Sequence, residues 1–258
     1  SVLNSSTTVS EKSVPILNVC AISGCTSASK IAAFDGKCLY KAPAVIPVIA
    51  AMERIDAFSK PFCKNSAFAF FNGAGTTDIA EVLNKNIKFT TMKKGATFGY
   101  VKGGATVTLD QDFDTTNTAK VVTAPESGTS VLVASNGSTV QVNAGKTLTT
   151  NTNVGLVATS GTSANKSKAI NIGTIISKIN GGVGLYANSN SEATNETTGQ
   201  IILGTAFSTG MFGENNSTLT NEGNITGTNK EYIVGMAGDS STVTNKNVIT
   251  LNGKNATG

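Results

Sequence analysis

The chain has 258 residues and a net charge of +4, only 14% of its residues are charged, and it contains no histidine. The lack of histidine excludes a Ser-His-Asp or Cys-His nucleophilic centre and any histidine zinc site. Arg54 is the only arginine, which argues against a nucleic-acid interface and against an arginine phosphate clamp.

Composition divides the chain into two parts. The first hundred residues carry ten of the fifteen aromatic residues and a net charge of +5, whereas the remainder carries −1 and is rich in Gly, Thr, Asn, Val and Ile. This contrast predicts a cysteine-containing N-terminal cap or binding module at residues 1–84 and a repetitive domain at 85–258. The sequence shows no signal peptide, and we expect the chain to be a piece of a longer protein.

Cysteines occur only in the N-terminal part, at Cys20, Cys25, Cys38 and Cys63. Of the three possible pairings, Cys20–Cys25 with Cys38–Cys63 is favoured because it closes the shortest loops. A four-cysteine zinc site is the alternative, but it usually needs two close CxxC-like pairs and this chain has a single, wider one. Disulfides would place the protein in an oxidising compartment: secreted, periplasmic or at a cell surface.

The N-terminal module is predicted to be a small α+β unit. Its elements are a short helix within residues 44–58, a buried strand within 66–73 and a second helix over 77–84 with Ile79, Val82 and Leu83 facing inward.

Aromatic and lysine side chains alternate in this module, and such a mixture is typical of a binding surface. Phe58 and Phe62 could instead be core residues of the module. The candidate receptor-binding residues are Tyr40, Lys41, Phe58, Lys60, Phe62 and Lys64.

Three carboxylates alternate at Asp110, Asp112 and Asp114, and in a strand all three would face the same side. Such a row could bind Ca²⁺ or act as the paired carboxylates of a polysaccharide-degrading enzyme. We favour a solvated acidic edge that prevents strand pairing, because few other acids lie near these residues in the sequence. The Gly-rich tracts lack the spacing of a phosphate loop, so no cofactor is expected.

Internal repeats are the most informative feature of the C-terminal part. Short blocks, four of them beginning with glycine, recur about every 25 residues, at 131–134, 155–158, 184–187, 210–213 and 235–238. Each is followed by a polar turn and a second block, of which residues 219–225 are the clearest case. The apolar residues alternate or form short runs between Asn, Gly, Ser and Thr, which is typical of strands and turns.

One repeat of this kind cannot bury its inward face alone, but stacked copies can. The pattern therefore predicts a mainly β fold, a parallel β-helix of about seven coils if they begin near residue 85. We expect the recurring Asn to occupy a left-handed turn position, and stacked Asn to form an amide ladder.

The tracts at 181–188 and 219–227 resemble passenger repeats of type V autotransporters, and the Asn-rich, Arg-poor composition resembles the large fusobacterial autotransporter adhesins. The resemblance implies a right-handed parallel β-helix, display on the bacterial surface, and adhesion to a host-cell or partner-cell receptor, either glycan or protein. It also implies secretion through an outer-membrane barrel that is absent from this chain.

These observations favour a non-enzymatic adhesin passenger in which the β-helix is a rigid stalk. One alternative is a secreted polysaccharide-degrading enzyme on the same fold, with Asp110, Asp112 and Asp114 in a groove. The other is a purely structural spacer without a partner.

Overall fold

The structure is a computed structural model, and it describes residues 17–18, 67–72, 75–79, 83, 89, 92–119 and 121–258. The described residues form a parallel β-helix, as the repeats predict. Three strands precede its complete coils: β1 (Leu17–Asn18), β2 (Ala67–Asn72) and β3 (Gly75–Asp78).

Six coils of three strands follow in the described part of the chain. Their strands are β4 (Thr97–Lys102), β5 (Ala105–Leu109) and β6 (Phe113–Asp114); β7 (Ser130–Ser135), β8 (Thr139–Val142) and β9 (Thr147–Thr150); β10 (Val154–Thr159), β11 (Lys168–Asn171) and β12 (Thr174–Ser177); β13 (Val183–Ala187), β14 (Glu192–Asn195) and β15 (Gln200–Leu203); β16 (Thr209–Glu214), β17 (Thr218–Asn221) and β18 (Asn224–Gly227); and β19 (Val234–Asp239), β20 (Thr242–Asn245) and β21 (Ile249–Leu251).

Equivalent strands of successive coils pair in parallel and build three sheets. The first strand of each coil joins an eight-stranded sheet, the second a seven-stranded sheet and the third a six-stranded sheet. Strands β2 and β3 already pair in parallel with β4 and β5, so the ladder extends before residue 85. Strand β1 pairs antiparallel with β2 at the N-terminal edge of the eight-stranded sheet.

The register confirms the repeat alignment. Leu132, Leu156, Leu185, Met211 and Met236 are partners across successive strands of the eight-stranded sheet. Each is buried, and each fully buried Leu contributes about 1.5–3 kcal/mol to folding. Leucine and isoleucine side chains of the six-stranded sheet fill the same interior from another side.

Amide side chains form a second column in the seven-stranded sheet, buried at every position except the last, Asn245. Asn171, Asn195, Asn221 and Asn245 are register partners at the ends of their strands. The Nδ2 of each donates to the Oδ1 of the next, at 2.8, 2.7 and 2.7 Å. The amide ladder predicted from the sequence is therefore present.

The expected left-handed conformation of these ladder residues is wrong, because each is the last residue of an extended strand that pairs in parallel with a neighbouring coil. The Asn residues with positive φ are a different set, in the turns between strands: Asn136, Asn190, Asn215, Asn216, Asn229 and Asn255.

The helix predicted over 77–84 is wrong at its first two residues, and Val82 lies outside the described residues. Residues 75–78 belong to strand β3, whose pairing with β5 determines their conformation. Ile79 and Leu83 follow with helical backbone and are fully buried, as the sequence predicts. No helix in the described ranges is long and apolar enough to span a membrane.

Candidate binding surface

The four cysteines and the six candidate receptor-binding residues of the N-terminal part lie outside the described residues. The same is true of the helix predicted within residues 44–58. The described residues contain other surface features that bear on function.

The acidic row is not the continuous strand face that alternation predicts. Asp110 and Asp112 lie in the turn between β5 and β6, and all three carboxylates are exposed. Each accepts a hydrogen bond from a different donor: Asp110 from Asn143 Nδ2, Asp112 from the backbone N–H of Thr147 and Asp114 from that of Thr116. Within the described ranges, no three Asp, Glu, Cys or His residues are grouped closely enough to hold a metal ion.

Two exposed aromatic side chains lie at the corner between the six-stranded and eight-stranded sheets. Phe207 lies between β15 and β16, and Tyr232 occupies the matching turn between β18 and β19. Their relative exposures are 56% and 45%. The rings are parallel to within 3° and their centroids are 5.2 Å apart, so they stack along the axis of the β-helix. We call this pair the aromatic corner.

The backbone at the aromatic corner is left-handed, with φ of 59° at Phe207 and 55° at Tyr232. Neighbouring coils fix this conformation, because the N–H of Phe207 donates to Glu231 O and that of Tyr232 to Lys254 O. A left-handed non-glycine residue costs about 1–2 kcal/mol. In the flanking coils the same turn position holds Gly181 and Asn255, the residue types that tolerate this conformation.

Mutual stacking of the two rings is worth about 0.5–1.5 kcal/mol and offsets only part of that cost. Both residues remain exposed, so burial in the core does not account for their presence. Backbone strain that packing does not explain is found preferentially at functional sites.

Repeat alignment contains the signal that would have identified this corner. Gly181, Phe207 and Tyr232 each precede a repeated glycine by three residues, at Gly184, Gly210 and Gly235. The apolar blocks alone do not reveal the corner, because its residues lie in the turns before them.

A half-buried row of apolar side chains runs along the outer face of the eight-stranded sheet. Register partners Tyr100, Val133, Val157, Tyr186 and Phe212 form it. The Tyr186 and Phe212 rings lie 6.0 Å apart.

A polar network borders this row. Tyr186 donates its hydroxyl proton to Glu214 Oε2 at 2.6 Å, and Asn188 Nδ2 donates to the Tyr186 hydroxyl oxygen. Partial burial, followed by the Glu214 carboxylate, raises the pKa of Tyr186 to about 12.

Replacing Glu214 with Gln is expected to lower the pKa of Tyr186, because the variant removes the negative charge that opposes ionisation. Ultraviolet absorbance titration would measure this pKa, with Tyr186→Phe identifying the transition. Folded Tyr186 keeps its proton above the pH of about 10 at which an unfolded tyrosine ionises. Its stabilising contribution is thus complete below pH 10 and is lost as the pH rises through about 12. An unchanged transition in Glu214→Gln would contradict this assignment.

Ion pairs join neighbouring coils on the surface. Lys166 Nζ lies 2.8 Å from Glu192 Oε1, and Lys246 Nζ lies 2.8 Å from Glu222 Oε1. The bond to Glu222 raises the pKa of Lys246. Exposed pairs of this kind contribute little to stability, so these side chains chiefly keep the surface polar.

Comparison with known proteins places the fold in a family. The family model of the BigA third pectate lyase-like domain matches residues 68–258. No curated protein and no solved structure matched the chain. The matched family is of the bacterial autotransporter-like, adhesin-type passenger class, which indicates a surface or secreted bacterial protein. The match covers nearly three quarters of the chain and includes all six complete coils, so the chain belongs to the BigA third pectate lyase-like domain family.

Proposed function

We propose that this chain is part of a surface-displayed adhesin passenger that attaches a bacterium to a receptor on a host or partner cell. The observation that carries the proposal is the aromatic corner, where two strained and exposed rings have no role in the core. Family membership supports it, since the matched family is of the adhesin type. The parent protein would be anchored in the outer membrane, with the β-helix as a rigid stalk.

The proposed attachment requires no catalysis. The three carboxylates that would serve a polysaccharide-degrading enzyme each accept a hydrogen bond from a nearby backbone or amide N–H. Six N-terminal residues remain proposed as an additional contact surface: Tyr40, Lys41, Phe58, Lys60, Phe62 and Lys64.

The proposal predicts saturable binding of the fluorescently labelled chain to epithelial cells or partner bacteria, reduced by excess unlabelled chain. Flow cytometry would measure it. A variant with the six N-terminal residues changed to serine would separate their contribution from that of the β-helix, and the double variant Phe207→Asn/Tyr232→Asn would test the aromatic corner. If neither cell type binds the chain saturably, the adhesin proposal is wrong and the segment acts as a spacer.

A further inference from the structure

We propose that the aromatic corner is a saccharide-binding site, in which one pyranose ring stacks on the Phe207 ring above Gly181. This inference rests on the proposed function and specifies the chemistry of the receptor. It follows from three features of the corner: backbone strain that stability does not explain, the open end of the aromatic stack and the polar groups beside it.

Stability alone does not explain the aromatic residues. The column of left-handed turn residues runs from Gly181 through Phe207 and Tyr232 to Asn255. Gly and Asn adopt this left-handed backbone conformation with less strain than Phe or Tyr. In addition, neither exposed ring gains the stability that burial in the core would give. The rings are therefore held in solvent at the expense of stability, as expected for a surface that contacts a ligand.

The stack has an open end at Gly181. Tyr232 covers one face of the Phe207 ring, since the two rings are parallel with centroids 5.2 Å apart. On the preceding coil Gly181 has no side chain, and a Cβ placed there would have nothing within 4 Å. The N–H of Gly181 donates to Ala206 O, which fixes its turn directly beneath that of Phe207. The next position of the column is therefore free to accept a ring from a ligand.

Polar groups border this open position. Lys178 and Asn180 lie in the same turn as Gly181, and both are exposed. Neither side chain hydrogen-bonds to another residue in the described part of the chain. Lys178 is the one charged residue of that turn, so the border is cationic and offers amide and ammonium donors.

A pyranose ring matches this combination better than a protein surface does. Its apolar C–H face stacks on an aromatic ring, while its hydroxyl groups accept and donate hydrogen bonds at the ring edge. A stable protein interface buries about 800 Å² on each partner. The corner offers two rings flanked by polar residues such as Glu231 and Lys254, which suits one small ring rather than a broad apolar partner.

Saturation-transfer difference NMR on the 258-residue chain would test the proposal. The probes are methyl β-galactoside, methyl N-acetyl-β-glucosaminide and the methyl α-glycoside of N-acetylneuraminic acid. At least one probe is expected to receive saturation at the C–H protons of one ring face. The anionic probe would be favoured if Lys178 contributes, and Lys178→Gln would then weaken its binding several-fold.

Two variants test the site by independent routes. Phe207→Asn removes the ring and relieves strain, so its thermal midpoint should be unchanged or higher while probe binding falls at least tenfold. Gly181→Phe leaves Phe207 intact but fills the open position, in a backbone conformation that the chain already imposes on two aromatic residues. It should abolish probe binding. Val248→Asn removes another exposed apolar side chain and should leave binding unchanged.

The outcomes separate this inference from the proposed function. If all three probes fail to bind, or if Phe207→Asn and Gly181→Phe both bind them normally, the saccharide site is refuted, even where cell binding persists. Cell binding that is lost in Phe207→Asn without any probe binding would identify a protein receptor and equally refute it. Probe binding by a chain that does not attach to cells would support the site and contradict the adhesin proposal.

Discussion

Replacing Asn195 with alanine is expected to lower the free energy of unfolding by about 3 kcal/mol. Asn195 is fully buried, accepts a hydrogen bond from Asn171 Nδ2 and donates to Asn221 Oδ1. The variant leaves the Asn221 oxygen without its donor, and a buried unsatisfied polar group costs about 1–3 kcal/mol. The vacated volume adds a cavity cost. Urea denaturation followed by far-ultraviolet circular dichroism would measure the loss.

Two other asparagines, Asn245 and Asn224, serve as controls for Asn195→Ala. Asn245 is exposed at the last rung, where its Nδ2 donates to the backbone oxygen of Asn247. Asn245→Ala should cost clearly less than Asn195→Ala, since water can replace the lost partner. Asn224, exposed at the start of β18, should tolerate alanine within about 0.5 kcal/mol. Equal losses at Asn195 and Asn245 would contradict a role for burial.

Replacing Gly210 with alanine is expected to destabilise the fold by about 3 kcal/mol. A Cβ at this position would lie 2.5 Å from the carbonyl oxygen of Gly235 and 2.8 Å from Ile225 Cγ2. Gly155 and Gly184 occupy the same column, and a Cβ there would lie 2.6 and 2.7 Å from the carbonyl oxygen of the next glycine in the column. The obstacle is backbone of the adjacent coil, which cannot move without breaking the parallel ladder. Thermal unfolding followed by calorimetry would detect the loss.

A glycine in open space is the matched control for Gly210. Gly104 has φ of +80°, and a Cβ at this position would have nothing within 4 Å. Its replacement by alanine should cost about 1 kcal/mol, through backbone conformation alone. A larger loss at Gly104 than at Gly210 would show that conformation, rather than space between coils, determines the need for glycine.

Much of the fold follows from the sequence because each coil must bury the same inward-facing apolar side chains. Glycine-containing blocks align in register because Leu156, Leu185 and Met211 must fill one continuous interior. The amide ladder was also predictable, because an Asn recurs in the second block of successive repeats. Its backbone conformation was not, since an Asn at a strand end and an Asn in a turn look alike in a single sequence.

The candidate site was harder to predict, because it depends on turns whose length varies between coils. Leu156 and Leu185 are 29 residues apart, whereas Leu132 and Leu156 are 24 apart, and the difference obscures turn alignment. Phenylalanine side chains are expected in the core because they are large and apolar, and Phe98 and Phe113 do pack there. Phe207 and Tyr232 are exceptions that only the geometry of adjacent coils identifies. Alternation likewise suggested one strand face for three aspartates, of which Asp110 and Asp112 lie in a turn and only Asp114 lies in a strand.

The pairing of each coil only with its neighbours determines how the molecule would respond to pulling. Because no strand in the described ranges connects distant coils, tension applied to an end would detach the terminal coil before its neighbours. A coil of about 25 residues releases roughly 80 Å of extended chain. In the proposed adhesin, a bacterium held against flow through this chain would gain tether length in discrete steps, each of which relaxes the force on the bond. The β-helix would then limit the force on the bond by extending one coil at a time.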